Sequence, residues 1–495
     1  MDLYQLLLNA RGVTGLLIVF AGAYVLYECF LSPLARIPGP FIAKITSFYY
    51  PYLSRRGRIH RDLVDLHKKY GNVVRVGPRV LSVGDPMAFR EIYRAGNRFY
   101  KSQSYSVLQG TRPFDLAGQR NEKIHSDQRR LVARSYSMDS VVYLEPHVDT
   151  VMNALVDRLK GFYGQPIDLG YWMQLFAFDA IGSISFSRPF GYVEVGEDNG
   201  LFLRLQRALR SIGWVKHVPR LYRLHQKLMP VIGNWIAGND RNTYFFEFAT
   251  REVKARTDRD GDYKDIASQL LSVQKTKPEL NDTNIAFMMT TNVFAGSDTT
   301  STSLRATMYL LLKYPEKYSR LMEELESKRQ KGELSVPATF KQAETCTYLQ
   351  AVLYEAMRLY PAAGDILDRD VPTGGMTING HYVPAGVVVG TSAWVIHRVP
   401  EIWGPDVEEF RPERWLDKEN ENNLKRFFFA FGGGSRTCIG RNITWLEISK
   451  LVPTLLMCFD MRLVDGAELT EDCGSLVFLS GLKVYITPRE VDQKS

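Results

Sequence analysis

The sequence predicts a mainly α-helical protein with a smaller β portion, placed behind an N-terminal transmembrane helix. Three observations lead to this fold class: an apolar run lies close to the N-terminus, most of the remaining chain has helical character, and strand-like stretches are few and short. With 495 residues, 45% of them hydrophobic, the chain can bury a substantial core, as one large domain or as two smaller ones.

The N-terminal run extends from Gly12 to Leu34 and is interrupted mainly by Thr14 and Glu28. Its length matches the ~20 residues that an α-helix needs to cross a bilayer. A cleaved signal peptide is the competing interpretation, but the run is too long and no small-x-small cleavage site follows it. A proline–glycine break follows instead, at residues 38–40. We therefore expect a membrane anchor over residues 1–35 and a globular body over residues 36–495.

Positive charge is distributed unevenly around this run. Arg11 precedes it, whereas five basic residues follow it: Arg36, Lys44, Arg55, Arg56 and Arg58. Because the cytoplasmic flank of a membrane span carries an excess of Lys and Arg, this asymmetry predicts that the body lies in the cytosol.

Two regions have strand character. Residues 73–77 and 80–83 are predicted to form a hairpin around Pro78. Residues 376–389 contain further strand material, with turns at Asn379-Gly380 and at residues 384–386. The charged stretches 251–265 and 327–333 are interpreted as solvated connections between helices.

A long helix is predicted from a cap at Asn281 or Asp282 to Lys313, where Tyr314-Pro315 stops it. Its middle, residues 295–300, reads Ala-Gly-Ser-Asp-Thr-Thr. Consecutive hydroxyl side chains compete for the backbone carbonyls one turn back, and Gly296 removes side-chain bulk. The helix should therefore have a local opening able to host water or dioxygen. A simple kink packed against a neighbouring helix is the alternative.

A glycine-rich loop at residues 431–440 presents one cysteine, Cys438. The following residues, 439–459, have helical character, so the thiol would lie at a helix N-terminus, where the dipole lowers its pKa. A single thiolate beneath an open coordination site is the haem arrangement that favours O–O cleavage. Phe431 can shield the sulfur from water, and Arg436 can pair with a haem propionate. A buried structural cysteine is the alternative, whereas a dinucleotide loop would need glycine in place of Thr437.

The remaining cysteines, at positions 29, 346, 458 and 473, are scattered and have no C-x-x-C spacing. The odd total of five argues against a disulfide scaffold and for a reducing compartment. Zinc is not expected, because no Cys/His cluster has ligand spacing.

Glu355 and Arg358 are spaced i, i+3 on a predicted helix and can pair on one face. Such a pair is a weak signal by itself, because most are solvated surface contacts. The downstream segment Phe-Arg-Pro-Glu-Arg-Trp, residues 410–415, strengthens it.

Together these motifs resemble the cytochrome P-450 family of haem-thiolate monooxygenases. The loop matches the family pattern Phe-x-x-Gly-x-Arg-x-Cys-x-Gly at all fixed positions: Phe431, Gly434, Arg436, Cys438 and Gly440. Residues 295–300 are similar to its oxygen-activation motif, and residues 410–415 to its Pro-Glu-Arg-Phe/Trp element. The resemblance spans nearly the whole chain. The residues at these motifs are similar to those of fungal membrane-bound members such as pisatin demethylase.

The resemblance implies roles for individual residues. Cys438 would be the axial ligand of the iron of haem b, Thr299 would donate a hydrogen bond to dioxygen, and Asp298 would relay protons. Glu355, Arg358 and Arg414 would form a structural network that braces the cysteine loop. Partners for the haem propionates would come from His125, Arg129, Arg369, His397 and Arg436. His125 stands where the family's Trp-x-x-x-Arg helix has tryptophan.

The substrate pocket is expected to be lined by residues 102–119, 292–295, 362–367 and 479–481. The individual candidates are Asn292, Phe294, Ala295, Ala363, Asp365, Ser480 and Gly481. Asp365 replaces the apolar residue that is usual in the family. Because a carboxylate in an apolar pocket is costly unless it is paired, it would either hydrogen-bond a polar group of the substrate or point into a solvated turn.

The expected function is insertion of one oxygen atom from O2 into a lipophilic small molecule of fungal secondary metabolism. The chain shows no flavin or nicotinamide domain, so electrons would come from an NADPH-cytochrome P-450 reductase in the same endoplasmic reticulum membrane. The net charge of +8 suits anionic membrane lipid and an acidic docking partner, or serves only solubility; no nucleic acid is expected. The alternatives are a haem-thiolate isomerase or dehydratase that uses no O2, and a non-catalytic membrane-tethered haem sensor.

Overall fold

The computed structural model describes residues 3–236, 243–258 and 264–489, with side chains from residue 13 onward. It is mainly helical. The α-helices, in chain order, are α1 Leu3–Leu26, α2 Phe41–Ile45, α3 Tyr49–Arg55, α4 Ile59–Tyr70, α5 Pro86–Tyr93, α6 Tyr105–Gln109, α7 Glu122–Val132, α8 Met138–Val142, α9 Glu145–Lys160, α10 Leu169–Phe186, α11 Tyr192–Val195, α12 Leu201–Val215, α13 Pro219–Ile232, α14 Thr243–Asp258, α15 Ile266–Gln274, α16 Asp282–Lys313, α17 Pro315–Gln330, α18 Phe340–Glu344, α19 Thr347–Leu359, α20 Ala393–Ile396, α21 Pro400–Trp403, α22 Glu421–Phe427 and α23 Arg441–Cys458.

The β portion is small, as expected. The strands are β1 Val73–Gly77, β2 Val80–Val83, β3 Tyr100–Lys101, β4 Pro166–Asp168, β5 Arg369–Asp370, β6 Met376–Ile378, β7 His381–Val383, β8 Val388–Gly390, β9 Phe459–Leu463, β10 Thr470–Cys473, β11 Val477–Ser480 and β12 Lys483–Pro488. They form a five-stranded sheet in the order β1-β2-β8-β5-β3, a three-stranded sheet β4-β12-β9, and the hairpins β6-β7 and β10-β11.

The predicted hairpin around Pro78 is confirmed, and the strand material at 376–389 includes a second hairpin with the predicted Asn379-Gly380 turn. β1 and β2 pair antiparallel, with Val73 opposite Val83, and β6 pairs with β7 from Met376 opposite Val383. The loop between β6 and β7 is Asn379-Gly380, and both residues have positive φ, 47° and 74°. A two-residue hairpin turn of this kind requires positive φ, which is why asparagine and glycine occupy it.

The N-terminal helix α1 continues into a π-helical turn, Tyr27–Leu31. The segment Val13–Leu31 is long and apolar enough to cross a membrane, with a mean hydropathy of 1.8, and none of it is buried. At its end the carboxylate of Glu28 pairs with the guanidinium of Arg75 on β1. Arg75 also donates to the carbonyl of Glu28 at 3.0 Å, so the end of the helix is fixed to the body by a buried cation.

Helix α16 lies at the centre of the helical part and confirms the predicted bounds. The side chain of Asn281 accepts a hydrogen bond from the backbone N–H of Asn284 at 2.9 Å and caps its first turn. α17 begins at Pro315, directly after the last turn. α16 packs against α10, α14, α19 and α23, so other helices contact it on several sides.

The interpretation of residues 251–265 as a solvated connection is wrong for the part that the structure describes. Residues up to 258 belong to α14, and Arg256 is buried. Its guanidinium pairs with the carboxylate of Asp265 at 2.6 Å. Residues 327–333 behave more as expected, since α17 ends at Gln330 and a turn follows.

Candidate active site

The cysteine loop lies between α22 and α23 and is closed by its own backbone. The N–H of Cys438 donates to the carbonyl of Phe431 at 2.8 Å, and the N–H of Thr437 to the carbonyl of Gly434 at 3.2 Å. Gly434 has a φ of 62°, and a Cβ atom at this position would collide with the carbonyl oxygen of Tyr93. The loop therefore needs glycine here both for its backbone conformation and for its close approach to α5.

The thiol of Cys438 lies inside the protein and still has accessible surface. Cys438 is exposed, whereas Cys346 and Cys473 are buried and Cys29 and Cys458 are intermediate. Burial nevertheless raises the pKa of the Cys438 thiol, against the opposing effects of the backbone N–H groups of Gly440 and Arg441 and the charge of Arg129.

The predicted lowering of the Cys438 pKa is thus wrong for the metal-free thiol. The N–H groups at the start of α23 act in the expected direction, but the cost of ionising a desolvated thiol is larger. Coordination to a metal ion, which deprotonates a thiol outright, is what would make this group a thiolate.

One face of α16 also opens into the interior. Ala295 is exposed, and Thr299, one turn later on the same face, is half-buried. The neighbouring residues on the other faces are buried, namely Ser297, Asp298 and Thr300. The hydroxyl of Thr299 donates to the carbonyl of Ala295 at 2.6 Å, which is the competition for backbone carbonyls that the sequence predicts.

Helices α16 and α23 approach each other next to this face. The hydroxyl oxygens of Thr300 and Thr444 are 3.2 Å apart, and Thr444 lies six positions after Cys438. The cysteine loop therefore leads directly into a helix, α23, that packs against α16.

A cluster of cations surrounds the buried imidazole of His125. Burial, together with the charges of Arg436, Lys101, Arg129 and Arg369, lowers the pKa of His125 to about 3. The pKa of Lys101 is itself lowered, by burial and then by Arg369 and Arg436. Such a concentration of buried positive charge favours an anionic ligand with more than one carboxylate.

The same cations hold the cysteine loop. Arg436 donates to the carboxylate of Glu122 at 2.7 Å and to the carbonyl of Gln119 at 2.8 Å. Arg129 donates to the carbonyl of Thr437 at 2.9 Å. The region from Gln119 to Arg129, which includes α7, is thereby connected to the residues on either side of Cys438.

The predicted structural network is present and buried. Arg358 donates two hydrogen bonds of 2.9 Å to the carboxylate of Glu355, and Arg414 donates a third of the same length. The indole N–H of Trp415 supplies another at 2.8 Å. Burial would raise the pKa of Glu355, but the two arginines outweigh it and the pKa is lowered, so the carboxylate is charged and fully paired.

His397 belongs to this network, and its prediction as a propionate partner is wrong. Its Nε2 accepts from the backbone N–H of Phe429 at 2.7 Å, and its Nδ1 lies 2.9 Å from the carbonyl of Arg358. Nδ1 must therefore carry the proton, and both ring nitrogens are used by the backbone. His397 connects Arg358 to the segment that leads into the cysteine loop.

A family model for cytochrome P-450 matches residues 38–486 of the chain. The chain belongs to the cytochrome P-450 family. A cytochrome P-450 monooxygenase of Aspergillus oryzae, hepC, is 52% identical over 481 residues, covering 93% of this chain and 92% of the relative. A cytochrome P-450 monooxygenase of Aspergillus terreus is 35% identical and covers 86% of this chain and 90% of the relative. Pisatin demethylase of Fusarium vanettenii is 34% identical, with 90% and 86% covered.

This cytochrome P-450 is therefore an oxidoreductase of the monooxygenase type, and its family implies a haem iron with a cysteine thiolate ligand. The residues present fit that group. Cys438 keeps accessible surface, the helix that follows it packs against α16, and the cations around His125 suit two propionates. In the described part of the chain no group of three or more His, Cys, Asp or Glu side chains is arranged to hold a metal ion.

The predicted pocket residues have mixed outcomes in this cytochrome P-450. The amide oxygen of Asn292 accepts from the hydroxyl of Tyr136 at 2.8 Å, and Phe294 packs edge-on against Phe245 with ring centroids 5.2 Å apart. Ala363 forms an isolated β-bridge to Leu476. These contacts leave their predicted pocket roles as predictions.

Ser480 and Gly481 form the end of the β10–β11 hairpin. The hydroxyl oxygen of Ser480 is exposed and lies 2.7 Å from that of Thr470. Gly481 has a φ of 90° and lies against the carbonyl of Glu468. Both residues serve the hairpin in this structure, and their pocket roles also stay predictions.

Both expectations for Asp365 are wrong. The carboxylate is neither solvated nor free for a substrate, because Lys216 and His217 approach its Oδ2 at 2.6 and 3.0 Å. The hydroxyl of Tyr50 and the backbone N–H of Ile366 donate to its Oδ1. Burial would raise its pKa, but these partners lower it well below the usual range.

Several residues that complete the site were not predicted from the sequence. They are Lys101 in the cationic cluster, Gln174 and Arg305 next to Asp298, and Lys216 and His217 on Asp365. Apart from Arg305, which lies on the same helix as Asp298, they act on groups far away in the chain; Gln174 is 124 positions from Asp298. No spacing or local motif signals contacts of this range.

Proposed function

We propose that this cytochrome P-450 is a haem b monooxygenase that inserts one oxygen atom of O2 into a lipophilic small molecule of fungal secondary metabolism. Cys438 would hold the haem iron through its thiolate. The observation that carries the proposal is the packing of α23, which directly follows Cys438, against α16, whose accessible face carries Ala295 and Thr299. A ligand-binding thiol on one side and an acid–alcohol pair on the other suit oxygen chemistry better than isomerisation, dehydration or passive haem binding.

Haem, when bound, supplies the redox chemistry that activates dioxygen. The reaction consumes R–H, O2, two electrons and two protons, and it yields R–OH and water. The protein must therefore deliver protons into a mostly dry interior while excluding bulk water. The hydroxyl of Thr299 can hold and pass a proton without carrying charge, and Asp298, buried beside it, can replace that proton.

The propionates would be held by the cations Lys101, Arg129, Arg369 and Arg436, with the neutral imidazole of His125 as a hydrogen-bond donor among them. Their carboxylates would offset the mutual repulsion of these charges, which is reflected in the lowered pKa values of His125 and Lys101. Phe431 contributes its carbonyl to the loop that presents Cys438, and it shields the sulfur from water.

Electrons are proposed to come from an NADPH-cytochrome P-450 reductase. A surface cavity of about 870 Å³ lies on the cysteine loop, lined by Gly432, Gly433 and Gly434 among others. Its charged lining consists of Arg90, Arg94, Lys425, Arg426, Arg441 and the single carboxylate Glu344. A basic depression next to the ligand loop is suited to an acidic electron-donating partner.

The proposed location is the endoplasmic reticulum membrane, with residues 1–35 as a single-pass anchor and residues 36–495 as the cytosolic catalytic domain. The apolar helix over Val13–Leu31 and the basic residues that follow it support this orientation. The family match, which begins at residue 38, supports the same boundary.

The decisive experiment is the carbon monoxide spectrum of the reduced protein. The parent should show the red-shifted Soret band of thiolate-bound haem, and Cys438→Ser should lose both this band and activity. Cys346→Ser, Cys458→Ser and Cys473→Ser are the matched controls and should retain the band. A thiolate band that persists in Cys438→Ser would refute the assignment.

A further inference from the structure

Asp298 is held by a neutral side chain instead of a cation. It lies on α16 and is buried, and its Oδ1 accepts from the amide Nε2 of Gln174 on α10 at 2.8 Å. The amide oxygen of Gln174 in turn accepts from Nη2 of Arg305 at 2.7 Å. Arg305, Gln174 and Asp298 therefore form a chain in which the amide separates the two charges.

The orientation of the Gln174 amide follows from chemistry. Arg305 can only donate hydrogen bonds, so the amide oxygen must face it and the amide NH2 must face Asp298. Arg305 itself is fixed by the carbonyls of Gly170 at 2.8 Å and Leu479 at 2.7 Å. Gln174 is thus held in one orientation by a guanidinium that cannot move freely.

The second oxygen of Asp298 is available. Oδ2 is buried and has no hydrogen-bond partner within the described part of the chain. Because Oδ1 already accepts an N–H from Gln174, a proton on this carboxyl must reside on Oδ2. Buried oxygens without partners are rare in proteins, which makes this one a candidate for a functional contact.

The surrounding charges leave Asp298 able to change its protonation state. Burial raises its pKa to about 6, while Arg305 and the Gln174 hydrogen bond act in the opposite direction. Asp168, at the start of α10, balances part of the Arg305 charge, and Glu447 on α23 lies against Thr300 on the other side of the helix. A guanidinium in direct contact would keep the carboxylate ionised.

We propose that Gln174 is a positioning residue for proton delivery: it holds Oδ1 of Asp298, keeps Arg305 out of direct contact, and leaves Oδ2 as the oxygen that carries the proton toward Thr299. This inference rests on the proposed monooxygenase function. Gln174 on α10 thereby controls which oxygen of Asp298 on α16 can carry a proton, and it acts only through Asp298.

The test uses the full-length haem-loaded protein and two variants. Gln174→Met keeps the side-chain volume but removes both hydrogen bonds, and Gln174→Glu keeps the Arg305 contact while facing Asp298 with a carboxylate. Infrared titration follows the protonated carboxyl band that disappears in Asp298→Asn. The titration midpoint of Asp298 should rise in Gln174→Met, because a hydrogen bond to the ionised carboxylate is lost. It should rise by about one pH unit or more in Gln174→Glu, because a second carboxylate then faces Asp298.

Coupling gives a second readout. The product formed per NADPH should fall about tenfold in Gln174→Met, and the uncoupled electrons should appear as peroxide. Thr302→Val is the matched control, because it removes a buried hydrogen bond of 2.8 Å from α16 to the carbonyl of Val477, and the Thr302 hydroxyl donates there and not to Asp298. It should keep the parent midpoint and coupling.

If both Gln174 variants titrate and couple as the parent does while Asp298→Asn changes both, Gln174 is a packing residue and the inference is refuted. Failure of the proposed function would look different. In that case the parent would lack the thiolate carbon monoxide band, whereas the infrared titration would still report on Gln174.

Discussion

The ammonium of Lys216, at the end of α12, lies 2.6 Å from the carboxylate of Asp365, and both side chains are less than a tenth exposed. Close by, Gly213 of α12 lies against Gly474, and Val215 packs with Val107, Tyr222 and Ile236 in a small separate apolar cluster. The ion pair therefore fixes the α12–α13 corner to the segment 362–367. Leu367, two residues after Asp365, approaches Gly432 of the cysteine loop.

We expect Asp365→Leu to lower the free energy of unfolding by about 3–5 kcal/mol, because it leaves Lys216 buried without a partner. The double variant Asp365→Leu/Lys216→Met should recover most of the loss. Denaturant unfolding measures both. Arg210→Met is the matched control. The Arg210–Asp472 pair is a second ion pair from α12, to β10 in this case, but its side chains are 44% and 30% exposed. The control variant should lose at most about 1 kcal/mol of unfolding free energy. If Asp365→Leu alone is as stable as the parent, the ion pair with Lys216 does not stabilise this corner.

Thr299→Ala should leave haem binding and the thiolate spectrum intact and lower the product formed per NADPH about tenfold. The physical reason is the loss of a hydroxyl on the open face of α16 that can hold a proton. Peroxide and product are measured together with NADPH consumption. Thr300→Ala is the control, because that hydroxyl points to Thr444 and should have a much milder effect. Fully coupled turnover in Thr299→Ala would show that the hydroxyl only packs.

Reversing Lys425 and Arg426 to glutamate should weaken turnover supported by the reductase, because both residues line the basic cavity on the cysteine loop. The loss should grow as ionic strength falls, since the Debye length lengthens from about 8 Å at 0.15 M to about 30 Å at 0.01 M. Peroxide-driven activity should survive, as it needs no docking. The same reversal at the exposed residues Lys68 and Lys69 is the control. Equal loss in both assays would indicate damage to the fold.

Glu447 predicts a pH dependence of stability. Burial raises its pKa to about 8 from its usual value of 4.5, and the interaction with the Thr300 hydroxyl, which acts in the opposite direction, does not offset this. The folded state therefore binds a proton that the unfolded state releases between these two values, so this contribution to the free energy of unfolding falls as pH rises from about 4.5 to about 8.

Glu447→Gln should remove this component. Relative to the parent, the variant should gain stability from pH 5 to pH 8, by at most about 5 kcal/mol. Calorimetry of both proteins across this range gives the difference, and the exposed Glu419→Gln is the matched control. A difference that does not change with pH would mean that Glu447 is ionised in the folded protein.

The sequence by itself determined the features that depend on short-range chemistry. The hairpin of β1 and β2, the Asn379-Gly380 turn, the bounds of α16, the glycine-rich cysteine loop and the i, i+3 pair of Glu355 and Arg358 all follow from residues close together in the chain. In each case propensity, turn conformation or helical spacing decides the structure locally. The family motifs are of the same kind, which is why the fold and the enzyme class were predictable.

Only the tertiary structure decided how buried charges find their partners. Asp365 is paired with His217, 148 positions away, and with the neighbouring residue Lys216. The nitrogens of His397 are both taken by distant backbone groups, and Arg256 is buried in what looked like a solvated stretch. The thiol of Cys438 is desolvated more strongly than its helix terminus can offset. The energy of a charge depends on everything within a few ångströms, and packing brings those groups together from anywhere in the chain.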